Sequence, residues 1–292
     1  GTSSRIFNSK TGVDFTSLTL TGGANGVTFD ASNGTAYADV DIVNCTITGQ
    51  TNAAVNWLVA TAAAVSTMTR LTIRGCTMSG QTQDQIIHLR TQSGVSASSI
   101  MSGIVIENNT ISNAQGVGIR CDHGQLTSSG GGSITIQSNT FSNLSEGASA
   151  VGGAMVISGF TGVTVRRNTV RTVVGVYGGC NAIYSTNVDI QNNYVDGCTS
   201  STIDACGALV DHLCDNVKVR YNTFKNCLGK AGVTNSGAGV MVLDAINTEV
   251  DGNLIDGCRI GLYLGVANGE TQEASLHGNT VVNPTVYGVY LS

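Results

Sequence analysis

A single ten-residue pattern recurs nine times along the chain, and no other feature constrains the fold as tightly. It reads VDIVNCTITG from Val40, LTIRGCTMSG from Leu71, IVIENNTISN from Ile104, ITIQSNTFSN from Ile134 and VTVRRNTVRT from Val163. It continues as VDIQNNYVDG from Val188, VKVRYNTFKN from Val217, TEVDGNLIDG from Thr248 and ASLHGNTVVN from Ala274. The sixth position is Cys45, Cys76, Asn109, Asn139, Asn168, Asn193, Asn222, Asn253 and Asn279, so eight steps separate 45 from 279, a period of about 29 residues. Self-similarity at that period marks units that cannot bury an apolar face alone and stack to form one core. Within each copy, apolar residues alternate with polar ones, as in a short strand with one face inside. A bend follows at the sixth position, then a second short strand. Asn suits the bend because it tolerates the left-handed backbone region, and its amide can bond to the Asn one coil above. The sequence therefore predicts an internal Asn ladder.

A third strand precedes the copies: QIIH from Gln85, GIRC from Gly118, AMVI from Ala154, AIYS from Ala182, ALVD from Ala208, GVMV from Gly239, GLYL from Gly261 and GVYL from Gly288. Three strands per coil make an all-β solenoid, a right-handed single-stranded parallel β-helix with three sheets and about nine to ten coils, expected as a single domain over residues 1–292. Nine coils stacked at strand spacing give a rod of ~43 Å. Composition agrees: charged residues are only 11%, Gly reaches 38 and Pro is a single residue, so the long charged side chains that cover helices are scarce.

The net charge of -5 without a basic stripe argues against nucleic acid and anionic membrane as partners. No apolar run reaches the roughly 18 residues that span a bilayer. Gly1 to Lys10 lack a signal-peptide core, and the chain begins in mid-pattern and stops on a strand, as a piece of a longer chain would. Nine cysteines occur without CxxC or Cys/His zinc spacing. They read as reduced core and turn residues rather than disulfides, which fits folding in a reducing cytoplasm. Asp and Glu do not repeat at calcium-repeat spacing, and no phosphate motif surrounds the glycines at 130–132, so neither metal nor cofactor is expected. Sequons such as Asn108-Asn-Thr110 fall out of the repeat itself.

The repeated VxIxxN strand with its stacked Asn resembles the pectate-lyase-like β-helix superfamily over nearly the whole chain. That resemblance implies that VxIxxN forms the second sheet and the GVYL-type strand the first. It also implies that variable loops, here 144–153, 172–181, 198–207 and 226–237, join the third sheet to the first and wall a groove floored by the first sheet. With its low charge, many Ser, Thr, Asn and Gly residues and free cysteines, the chain looks most like the β-helix of bacteriophage tailspikes. The resemblance implies a homotrimer on a virion, or otherwise extracellular, folded in the host cytoplasm. Such a trimer binds and depolymerises a bacterial capsule, O-antigen or exopolysaccharide.

Aligning the first-sheet strands places Asp211, His212 and Asp215 on one coil beside Asp244 on the next, with Asp204 in the preceding loop. Paired carboxylates at such separations serve glycosidases, one protonating the leaving oxygen and the other acting as base or nucleophile. The same acids can simply end strands and cap turns. Parity couples Leu209 to Asp211, so if one points inward both do, and a buried Asp211 would need hydrogen-bond partners. Lower on the face, His88 and Arg90 align with Cys121 and His123, with Arg120 and Asp122 adjoining. Arg and His there suit a lyase or C5-epimerase, which neutralises a uronate and removes a proton; a surface salt-bridge patch is the other explanation. Tyr184, Tyr263, Tyr287 and Tyr290 fall on or beside the face and suit either a glycan track or a subunit contact. A non-catalytic spacer or glycan-binding rod is the remaining alternative.

Overall fold

A computed structural model describes residues 5–6, 10–30, 34–59, 65–83, 85–91, 99–123, 131–147, 152–202, 204–233, 236–266 and 273–292. Every secondary-structure element among them is a β-strand. The strands stack into three all-parallel sheets. The first runs from Arg5–Ile6 to Tyr287–Leu291, the second from Lys10–Thr16 to Ala274–His277 and the third from Thr19–Thr21 to Thr280–Val282. The chain visits first, second and third sheet in turn, and each visit pairs with the coils before and after.

Alternation decides what lies inside. In the second sheet Ile42, Ile73, Ile106, Ile136, Val165, Ile190, Val219 and Val250 stand in register as one inward column. In the third, Ile47, Met78, Ile111, Phe141, Val170, Val195, Phe224 and Ile255 form another. These residues are fully buried, and one continuous apolar core runs along the rod. In-register stacking of like side chains suits the pleat, because each branched residue packs on its counterpart in the next coil.

The Asn ladder occupies the bend between the second and third sheets. Asn193 Nδ2 and the Asn193 backbone N–H both donate to Asn222 Oδ1, at 3.0 and 2.9 Å, while Nδ2 also donates to the Val165 carbonyl at 2.9 Å. The arrangement repeats from Asn109 through Asn279. Cys76 continues it by donating its N–H to Asn109 Oδ1, and Cys45 donates its own to Cys76 Sγ at 3.4 Å. The left-handed residue is not the ladder Asn. It is the residue before it, with φ between 55° and 65° at Asn44, Gly75, Asn108, Ser138, Arg167, Asn192, Tyr221, Gly252 and Gly278. That one strained residue turns the chain, and the next can then aim its side chain inward.

All nine cysteines are free and buried. Strands run into three of the four expected loops between third and first sheet, slightly into 144–153 and 198–207 and most into 172–181, which shrinks to 175–177 because strands Thr169–Val174 and Gly178–Ile183 take up the rest. Within the expected loop 144–153, residues 148–151 lie outside the described residues.

Replacing Asn193 or Asn222 by Leu orphans two buried donors on the preceding coil and one carbonyl. Each variant should unfold with a loss of ~1–3 kcal/mol per orphaned group, whereas Thr140→Leu on the exposed face should change little. Denaturant midpoints of all three that coincide with the parent would contradict the ladder.

Candidate functional site

The outward face of the first sheet carries two columns of side chains. One is His88, Arg120, Val156, Asn181, Leu209, Met241, Tyr263 and Tyr290; the other is Arg90, Asp122, Ser158, Ile183 and Asp211. Val210 is in the core, so Leu209 and Asp211 both point out. Leu209 is nevertheless buried, because Cys206, Met241 and Tyr263 form a second apolar cluster on this outer face. Asp211 thus sits at the end of an apolar strip, partly exposed, at the corner where the first sheet turns to the second.

Three further groups meet it there. His212 follows in the left-handed region (φ 48°), donates its backbone N–H to Asp211 Oδ1 at 2.7 Å and brings its Nε2 to 3.4 Å from Asp211 Oδ2. The His212 ring stacks on Tyr184 with centroids 5.1 Å apart. Asp244, one coil on and also left-handed (φ 49°), is 1% exposed, and its carbonyl accepts the Leu213 N–H at 2.9 Å. One ligand atom each from Asp211, His212 and Asp244 lie within 4.8 Å of one another, a set able to hold a divalent cation.

Asp204 reaches the site from the loop before the strand. Its carbonyl accepts hydrogen bonds from the Gly237 N–H at 2.8 Å and the Ser236 hydroxyl at 3.0 Å, which ties its loop to the next one. Burial, reinforced by the Asp211 carboxylate, pushes the Asp204 carboxyl up to about 6. Asp215 does not join this group. It begins the second-sheet strand Asp215–Arg220, past the corner, and its carboxylate accepts from Asn247 Nδ2 at 2.8 Å on the exposed face.

The lower cluster is arranged differently from the sequence alignment. His88 pairs with Arg120 and Arg90 with Asp122, one residue out of step with the alignment on Cys121 and His123. The cause is parity: Leu89 and Cys121 are both inward and fully buried, so the polar residues between them must face out together. Asp122 lies 2.7 Å from Arg120 Nε and 3.7 Å from Arg90 Nε. His88 is pushed down to about 4 by burial and then by Arg120 and Arg90. His123 lies beyond the strand, 2% exposed, its Nε2 2.7 Å from the Ser99 carbonyl, and burial holds its pKa below the ordinary value. Of the tyrosines, Tyr184 stands at the corner. Tyr263 meets Tyr290 edge-on at 5.0 Å, and Tyr287 stacks on Tyr290 at 5.1 Å.

One grouping escaped the sequence reading. On the second sheet, His277 lies 2.9 Å from Asp251 and 3.5 Å from Glu249, with ligand atoms of all three within 4.8 Å. The signal was available, since Asp251 and His277 hold the same place in successive repeats.

The sequence profile of the family described as right handed beta helix region matches residues 5–170. The chain belongs to that family. Beyond residue 170 the β-helix continues in the same three sheets without a break in pairing order. No curated protein matches the sequence. Among solved structures, the β-helix is similar to the mannuronan C-5 epimerase AlgE4 A-module of Azotobacter vinelandii. The match has 13% identity and a TM-score of 0.50 and covers 99% of this chain and 78% of that one. It is also similar to PfbA, a surface adhesin of Streptococcus pneumoniae, at 13% identity and TM-score 0.45 over 92% of this chain and 71% of that one. At such identity the likeness is one of fold.

Proposed function

We propose that the rod binds a bacterial surface polysaccharide (capsule, O-antigen or exopolysaccharide) and hydrolyses it at the Asp204 and Asp211 pair. The observation that carries this reading is the corner where Asp211, His212 and buried Asp244 meet within 4.8 Å, supported by Asp204, which burial and the Asp211 charge push up to about 6. An acid whose carboxyl is raised by burial and a neighbouring charge is suited to give a proton, and a second carboxyl to act as base or nucleophile, in glycosidic hydrolysis. Asp204 gives its proton to the leaving oxygen as the bond from that oxygen to the anomeric carbon breaks. Asp211 then takes the proton of the incoming water, or attacks the anomeric carbon first and is released by water. His212, stacked on Tyr184, holds Asp211 through its N–H, and buried Asp244 fixes the corner from the next coil. Exposed Tyr287, stacked on half-buried Tyr290 over the apolar strip, supplies aromatic surface for the C–H faces of sugars.

The tailspike type of β-helix accounts best for the remaining features: a low charge, buried free cysteines and flat sheet faces that a rod of this kind can bury against two identical copies. In this reading the protein is a homotrimer on the phage tail. Sedimentation equilibrium should report the mass of three chains; a monomer at micromolar concentration would contradict the trimer while leaving the chemistry standing.

Asp204→Asn and Asp211→Asn should each lower turnover by about 100-fold or more with melting preserved, because an amide keeps the shape and carries no proton. Since Asp204 must be protonated, activity should fall as pH rises through about 6. Products should bear new reducing ends. Unsaturated uronate ends would instead indicate β-elimination and move the chemistry to His88, Arg120 and His123. Binding without any cleavage would make the rod a non-catalytic glycan binder.

A further inference from the structure

Four coils below the acidic corner, on the same first-sheet face, an open pocket of about 220 Å³ is lined by Asn25, Asn52, Asn56, Gln83, Gln85 and His88, with Leu58 as an apolar wall. Five carboxamides converge there, and among the described residues no carboxylate, Lys or Arg lines it. The register explains the convergence. Asn56 and His88 are outward neighbours on adjacent coils, and Leu58 is the next outward residue after Asn56. Asn25 opens its strand beside Ala53, while Gln85 opens the strand of His88 and Gln83 precedes it in sequence.

Some surface amides pair along the rod, such as Asn143 with Asn113 at 3.1 Å and Asn216 with Asn187 at 2.6 Å, while others, such as Asn108 and Gln115, do not. The pocket differs in gathering five of them beside His88, whose buried Nε2 has no hydrogen-bond partner among the described residues. In the pocket the side chains of Asn52, Asn56, Gln83 and Gln85 make no hydrogen bond among the described residues. Asn25 spends only its Oδ1, on the Ala53 N–H at 3.2 Å. Each free carboxamide offers a carbonyl acceptor and two N–H donors, which complement hydroxyl groups that also donate and accept. His88 stays neutral at physiological pH, since burial and the adjacent Arg120 and Arg90 disfavour its charged form. Both arginines face Asp122, so they are engaged outside the pocket. A concave wall with one aliphatic side and several uncommitted polar groups is the makeup of a small-molecule subsite.

We infer that this pocket is a binding subsite for a neutral, hydroxyl-bearing sugar residue, placed ~19 Å along the groove from the Asp204 and Asp211 pair at strand spacing. The inference rests on the reading that this face handles polysaccharide. It adds that the chain bound there is uncharged at the residue seated in the pocket, and that recognition and cleavage occupy separate coils.

Side-chain amide and imidazole resonances of the Asp211→Asn protein report on the pocket without any turnover. Titrated separately with glucose, N-acetylglucosamine and galacturonate, the protein should show saturable shifts at Asn56, Gln85 and His88 with at least one neutral sugar. Galacturonate should bind more weakly. Asn56→Ala, which removes a surface amide that supports no internal contact, should weaken the neutral sugar about tenfold, the worth of one good hydrogen bond. Gln85→Ala serves as the second variant should Asn56→Ala disturb its strand. Absence of pocket shifts with both neutral sugars, or a preference for galacturonate, overturns the inference. Because the readout is binding and the hydrolytic reading is tested by cleavage, either can fail while the other stands.

Discussion

Everything in this molecule depends on a buried amide meeting its copy one coil away. A parallel solenoid must bend sharply at every corner, and each bend withdraws backbone groups from both strand ladder and water. At the bend between the second and third sheets the cost is met within the repeat. The ladder Asn accepts from the preceding coil's N–H and amide, and donates both to the next coil's Asn and to a core-facing carbonyl. The interaction is worth little at one coil and much in a column, because no member can be removed without orphaning its neighbours. That is why Cys can stand in only at the end of the column, where a thiol accepts one N–H at Cys76 and the run stops at Cys45.

With corners and core so committed, variation is confined to what faces out. The second sheet shows the default use of an outward face, with ion pairs such as Arg220 with Asp189 and Lys218 with Glu249. The first sheet departs from it. Its outer face holds an apolar strip, an acid with a raised pKa and a pocket of uncommitted amides, none of which the fold requires. Loops close over part of this face, and the Asp204 loop is tied to the following one through Ser236 and Gly237.

The fold was legible because the second-sheet signature repeats nine times and carries its own register. The site was less so. First-sheet strands lack an invariant residue, and the turns around them vary in length, so their sequences alone leave the register at His88 and Arg90 open by one residue. In a structure of period two, one residue exchanges inside for outside. The structure brings Asp211, His212 and Asp244 to one corner because Asp211 ends its strand, His212 follows it and Asp244 follows the strand one coil on, whereas Asp215 begins the second-sheet strand around the corner. The left-handed residue was assigned to the Asn itself, since Asn commonly adopts it; the structure shows that Ser, Arg and Tyr take that role one position earlier when the bend demands it. The amides of the pocket had no signal in the sequence, because Asn and Gln abound and only their convergence in space marks these.

The central claim is that burial and the charge of Asp211 together raise the Asp204 carboxyl, and carboxyl-carbon NMR titration tests it most directly. Asp204 should titrate near 6, and Asp211→Asn should lower that value by removing the neighbouring charge while the contribution of burial remains. An Asp204 that titrates at the ordinary aspartate value and ignores the substitution would contradict the account.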